Sequence, residues 1–207
     1  GLLIPITAIF FTQHVGLSAA ELGFGLTLAG VLGLIVAVPV GHLSDRRSPR
    51  ILLFVLMLLI SLSVLGFLAV GSFLVFVLIM AAYRLGDRAA GAVRGGLIAR
   101  AVAADDHVEV RNYLRVISNI GTSSGVLVAA WALTVNEVWA YQVLIVSASV
   151  LCACAALGVL AVPSVAPVPK ERQLPGWTVL LDRRYLSFCA LNAVLAFHYA
   201  VLEVGVP

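Results

Sequence analysis

Charge is what this chain has least of. Only 11% of its 207 residues are Asp, Glu, Lys or Arg, whereas 62% are hydrophobic and the mean hydropathy is +1.10. A soluble domain needs far more polar surface, so this composition excludes one and makes lipid the main solvent. Cysteine is also scarce. Cys152, Cys154 and Cys189 lie in apolar surroundings without C-x-x-C spacing, which argues against a disulfide framework or a metal site and leaves them as expected buried thiols. There is no H-E-x-x-H, no G-x-S-x-G and no phosphate-cradling G-x-x-x-x-G-K-[ST]. His14, His42, His107 and His198 are scattered without ligand spacing, so no enzyme, cofactor or metal is expected. Lysine occurs once, as Lys170 in a polar stretch, which excludes an embedded Schiff base of the retinal type. No secretory leader is seen: the chain opens directly on the apolar segment Gly1 to Phe11, with no basic residue before it and no initiator methionine, so the native start is expected upstream.

The chain does have long uncharged runs. A helix rising about 1.5 Å per residue needs roughly 20 residues to cross a hydrocarbon core of about 30 Å. Leu22 to Val40 is one such run. Ile51 to Tyr83 is too long for one helix and breaks at Gly71-Ser72, so it holds one span and the first half of the next, which continues to Arg100. Val116 to Asn136 and Val138 to Pro169 supply the fifth and sixth spans, and Tyr185 to Leu202 begins a seventh. Gly1 to His14 covers only about 21 Å as a helix, short of a crossing. The sequence therefore reads as an all-α membrane protein whose first span is truncated.

The basic residues give an independent check. The balance is +3 with a pI near 9.0, but the positive charges are dispersed at span ends rather than gathered on one face, so nucleic acid is not an expected partner. Arg46, Arg47 and Arg50 mark one loop, Arg94, Arg100, Arg111 and Arg115 the next, and Lys170, Arg172, Arg183 and Arg184 a third. The intervening turns, Val15 to Leu22, Gly71-Ser72 and Thr134 to Val138, contain none. By the positive-inside rule the basic loops are cytoplasmic, and an even number of crossings must separate each pair, which requires two helices in Ile51 to Arg100. Trp131 and Trp139 flank the last outer turn as interfacial aromatics, with Trp177 and Tyr185 near the inner surface.

The first basic loop carries a motif. Gly41 to Arg50 reads GHLSDRRSPR and resembles the loop between helices 2 and 3 of the major facilitator superfamily of transporters, G-x-L-a-D-R-x-G-R-R/K. Gly41, Leu43, Asp45, Arg46 and Arg50 match; Ser48 stands for the usual glycine and Pro49 for a basic residue. The resemblance implies a facilitator fold with about seven of twelve transmembrane helices present: an N-terminal six-helix bundle over 1–162, a Pro-rich and basic cytoplasmic linker over 163–184, and helix 7 over 185–207, with five helices missing from the chain. It also implies that the loop acts as a gate. Asp45, placed by this reading at the start of the third span, would meet that helix's positive end and neighbouring arginines; the plain alternative is an N-cap and turn.

The other candidates lie within the membrane. On the fourth span Arg84, Asp87, Arg88, Gly91, Arg94 and Gly95 recur at offsets of three, four and seven, forming one stripe. Ionisable groups at this depth are expensive, so the stripe is expected to face the bundle interior or a water-filled cavity, with Asp87 paired to Arg84 either as a transport network or as a structural ion pair. Arg94 also suits snorkelling at the inner surface. On the fifth span Gly121-Thr-Ser-Ser-Gly125 resembles the family's antiporter signature G-x-x-x-G-P-x-x-G-G, with Val126 in place of proline and Ala129 and Ala130 in place of glycines; plain GxxxG packing is the alternative. Candidate substrate or proton sites are Gln13, His14, Asn119, Asn192, His198, Tyr199 and Glu203, of which His198 and Glu203 titrate.

The expectation is a monomeric, multi-pass integral protein of the plasma or inner membrane that moves a small organic solute by alternating access, with protons as the candidate coupling ion in efflux. Sugar or metabolite uptake is the alternative within the class, and a seven-helix signalling or scaffold protein the alternative outside it.

Overall fold

The structure is a computed structural model that describes residues 11, 16–46, 48–102, 106–135, 137–161, 182–183, 186–187 and 189–194. The chain divides into two units, residues 1–167 and 168–207. The first contains α1 (Ala19–Arg46), α2 (Pro49–Gly66), a 3-10 turn (Phe67–Ala69), α3 (Phe73–Ala101), α4 (His107–Val135) and α5 (Val138–Val159), which occupy the second to sixth expected spans. In the second unit, 183, 186–187 and 189–194 are helical, with the Leu186 amide donating to the Asp182 carbonyl at 2.9 Å.

Local chemistry sets the helix ends. Before α1, Gly16 takes a left-handed φ of +82°, which a side chain would strain. Ser18 and Glu21 then close a capping box: the Ser18 amide donates to Glu21 Oε2 at 2.8 Å and the Glu21 amide to Ser18 Oγ at 3.2 Å. Leu17 and Leu22, flanking the box at the positions of a hydrophobic staple, are both buried in one cluster. That carboxylate sits below the usual Glu range because Ser18 donates to it through hydroxyl and amide. Between α1 and α2, Pro49 imposes the break. Proline keeps Ser48 out of the helical region, at φ −60° and ψ 115°, and fits the first helical position itself. Nothing earlier in the motif stops the helix, so α1 runs on to Arg46. Between α2 and α3 the turn falls at Gly71-Ser72, as the sequence predicts. Between α3 and α4, His107 Nε2 donates to the Val102 carbonyl at 2.9 Å, tying the two ends together.

Helix directions follow from the contacts. A Cβ at Gly25 of α1 would lie 2.9 Å from Phe76 Cε1, and one at Gly33 would lie 3.2 Å from the Arg84 backbone, so α1 and α3 run parallel and nearly touch. Gly66 faces Ile79 and Gly86 faces Ile60, which makes α2 antiparallel to α3. Ser61 and Ser149 each donate a hydroxyl to the other's main-chain carbonyl at 2.9 Å, and Cys152 Sγ donates to the Met57 carbonyl at 3.7 Å, so α5 is antiparallel to α2. The order in space is therefore α1, α3, α2, α5, while α4 makes its one substantial contact with α5. Alternation of direction puts Gly71-Ser72 and Glu137 at one end of the bundle and the arginine-bearing connections at the other.

Among the described residues, Pro49–Ala69, His107–Val135 and Val138–Val159 are long and apolar enough to cross a membrane, and Ala20–Gly33 is a shorter apolar stretch. Hydroxyls on such helices cannot rely on water. Thr27 and Ser63 accordingly donate to the carbonyls of Gly23 and Leu59, four residues back. The expectation of buried thiols is corrected: Cys152 is half-buried, and Cys154 and Cys189 are exposed. A thiol is apolar enough for lipid, so apolar flanking sequence does not fix which face it occupies.

Candidate functional site: the uncovered face of α3

A single stripe of α3 changes character along its length. Phe76, Met80, Arg84, Asp87, Gly91 and Arg94 follow one another at steps of three or four and so share a face. Phe76 and Met80 are buried in the larger apolar cluster, against α1 and the ring of Phe11, whose centroid is 4.9 Å from that of Phe76. Asp87, Arg88, Gly91, Arg94 and Gly95 are exposed. Arg84 falls at the boundary. It also lies between the two apolar clusters, one ending on α3 near Tyr83 and the other beginning at Ala89.

Three small residues of α1 create this position. Gly25, Ala29 and Gly33 are spaced by four, and a side chain at Gly25 or Gly33 would crowd Phe76 or the Arg84 backbone. Arg84 is half-buried, and its Nε is fully buried without a hydrogen-bond partner. Asp87, one turn on, does not satisfy it. Asp87 itself is exposed. Along the stripe, Arg84 is half-buried and Asp87, Arg88 and Arg94 are exposed.

The remaining sequence candidates are dispersed. Gly41, Leu43, Asp45 and Arg46 belong to the last two turns of α1, where only the backbone is described, and Arg50 is half-buried in the first turn of α2. Asp45 thus does not begin the next helix or cap it; Ser48 is the N-cap. The physical reason is again Pro49, which sets the N-cap three residues later than the motif suggests. On α4, Asn119 is exposed, Gly121 has nothing within 4 Å of a Cβ, and Gly125 is buried with Ala129, so only the second half of the small-residue motif packs. Asn192 is exposed in the second unit. Gln13, His14, His198, Tyr199 and Glu203 lie outside the described residues.

Two features escaped the sequence reading. The Gly25–Ala29–Gly33 repeat is a stronger small-xxx-small signal than Gly121 and Gly125 on the fifth span, and it is legible in the spacing. The reciprocal Ser61–Ser149 bond joins residues 88 apart, and only a serine inside each apolar run hinted at it. A groove of about 620 Å³ also runs along α5 beside Trp139, Gln142, Val146 and Leu151, away from the charges of α3. Its described lining comes from one helix, so it is a furrow on the bundle's outside.

Apolar helices that pack through glycine, several of them long enough to cross a bilayer, define a multi-pass helical membrane protein. The chain belongs to the Major Facilitator Superfamily, whose family profile matches residues 1–207. No curated protein and no solved structure matches it. Members of this family are membrane transporters rather than enzymes, so the chain is part of an integral membrane transporter, with the lipid bilayer around it and a small molecule as cargo.

Proposed function

We propose that the protein exports a small organic solute in exchange for protons moving down their gradient, by rocking two six-helix halves about a central site, with Arg84 on its lining. The observation that carries this reading is the position of Arg84, a cation held where α3 passes from packed to uncovered, with its Nε unsatisfied. A charge kept at that cost is by default a functional group. In this reading 1–162 forms the first half, 163–184 the linker and 185–207 the start of the second half, as a monomer in the plasma or inner membrane with the basic end cytoplasmic. Asp45, Arg46 and Arg50 act as the gate, Gly121 and Gly125 pack the fifth span, and Gln13, His14, Asn119, Asn192, His198, Tyr199 and Glu203 supply substrate and proton contacts.

Proton flux out of everted vesicles containing the full-length protein tests the reading. With a pH-sensitive dye and a panel of drugs, sugars and amino acids, substrate-triggered collapse of an imposed gradient is the expected result. Solute movement without proton movement would remove the coupling, and no movement of any solute by folded protein would remove transport. Asp45→Asn is expected to lower turnover with unchanged expression; normal turnover in this variant would end the gating role.

A further inference from the structure

We propose that the solute carries an anionic group, a carboxylate or phosphate, and that the Arg84 guanidinium is what holds it. The inference deepens the transport reading and rests on it.

Arg84 is 11 residues into α3, which starts at Phe73, so it lies about 16 Å along the helix, near the middle of a hydrocarbon core about 30 Å thick. Guanidinium does not deprotonate, so it cannot escape burial by becoming neutral as a lysine or carboxyl can. A buried guanidinium N–H needs an acceptor, and Arg84 Nε has no hydrogen-bond partner among the described residues. The neighbouring side chain, Tyr83, lies against Phe67, ring centroids 6.2 Å apart, and supplies aromatic packing there.

The approach to this point is itself positive. From Arg84 toward the basic end, the uncovered stripe holds Arg88 and Arg94 against the single carboxylate of Asp87. An excess of one sign along a low-dielectric face raises the local concentration of the opposite ion. Planar guanidinium also matches carboxylate and phosphate oxygens in a two-point fork. A cationic solute would be repelled along the stripe, and a neutral one would leave Nε as it is.

The test compares matched pairs differing only in charge: benzoate with benzamide, and glucose 6-phosphate with glucose. Full-length protein is placed in phosphatidylcholine nanodiscs, which contain no anionic lipid, and thermal stabilisation is titrated for wild type, Arg84→Gln and Arg84→Lys. At least one anion is expected to stabilise the wild type at roughly tenfold lower concentration than its neutral partner. Arg84→Gln should abolish that preference and Arg84→Lys should keep part of it, which separates lost charge from lost fold. Equal responses to both members of each pair, an anion preference that survives in Arg84→Gln, or no response to either anion overturns the proposal. Flux of the same compounds in proteoliposomes separates the two readings. Anion-specific binding through Arg84 without flux retains the anion site and rejects transport, whereas flux of only the neutral members retains transport and rejects the anion site.

Discussion

Helices α3 and α4 are each 29 residues long, yet they pack in opposite ways. α4 is apolar enough to cross a membrane on composition, while α3 carries Arg84, Asp87 and Arg88 within its apolar length. The charged helix is nevertheless the better packed, lying between α1 and α2, with Phe76, Ala89, Ala90 and Val93 no more than 2% exposed. Every described residue of α4 from Arg111 to Ser124 is exposed, and burial begins only at Gly125. Hydropathy therefore decides whether a helix enters lipid, and small residues decide what it packs against there. Between helices in lipid there is no hydrophobic driving force, so close backbone approach through Gly25, Gly33 and Gly86 gives the contact its van der Waals energy.

The contrast can be broken by moving bulk from one helix to the other. Gly33→Leu pushes directly on the Arg84 backbone, which cannot turn aside as a side chain can, and should cost about 3 kcal/mol in thermal or denaturant unfolding of the full-length protein. Gly121→Leu on α4 meets open space and should stay within about 0.5 kcal/mol of wild type. Equal costs at the two sites would show that α4 is packed as tightly as α3.

Charge sharpens the comparison next. Arg84→Met removes a half-buried cation and should raise stability by about 1 kcal/mol while cutting solute flux at least tenfold. Arg115→Gln, on the exposed part of α4, should leave stability within about 0.5 kcal/mol. A less stable Arg84→Met protein would mean that the guanidinium is structurally compensated after all.

A smaller effect is expected where α2 and α5 meet. In a double-mutant cycle with Ser61→Ala and Ser149→Ala, the coupling energy should be about 0.6 kcal/mol, the usual size for hydrogen bonds between membrane helices. Strict additivity would show that the reciprocal bonds contribute nothing beyond packing.

Smallest is the pH response at the start of α1. The folded Glu21 carboxyl lies below its ordinary 4.5, so its contribution is complete above that value and is lost as pH falls through the lowered folded pKa. Wild type and Glu21→Gln should therefore differ in melting temperature at pH 6 and converge in stronger acid. A difference that persists unchanged at low pH would rule out the carboxylate as its source.

Helix count and alternation were legible because they rest on run length and on where the arginines fall. The Gly71-Ser72 break and the turn before Val138 stand where hydropathy and polarity indicate. The end of α1 was misplaced because the motif Gly41 to Arg50 was read as a loop, although only Pro49 in it compels a break. At the candidate site, the spacing of Arg84, Asp87, Arg88 and Arg94 places them on one stripe of a helix. It could not say that Arg84 is half-buried while Asp87, Arg88 and Arg94 are exposed, since burial depends on neighbouring helices.

By itself the sequence determined that this chain lives in lipid and crosses it repeatedly as helix, because transfer energies and helix rise act on each segment separately. Only the tertiary structure decided which helices touch, that Asp87 leaves Arg84 Nε unsatisfied, and that Ser61 finds Ser149. Those outcomes depend on how closely two backbones approach, a property of pairs of helices set by glycine and alanine on both surfaces, which no single segment contains.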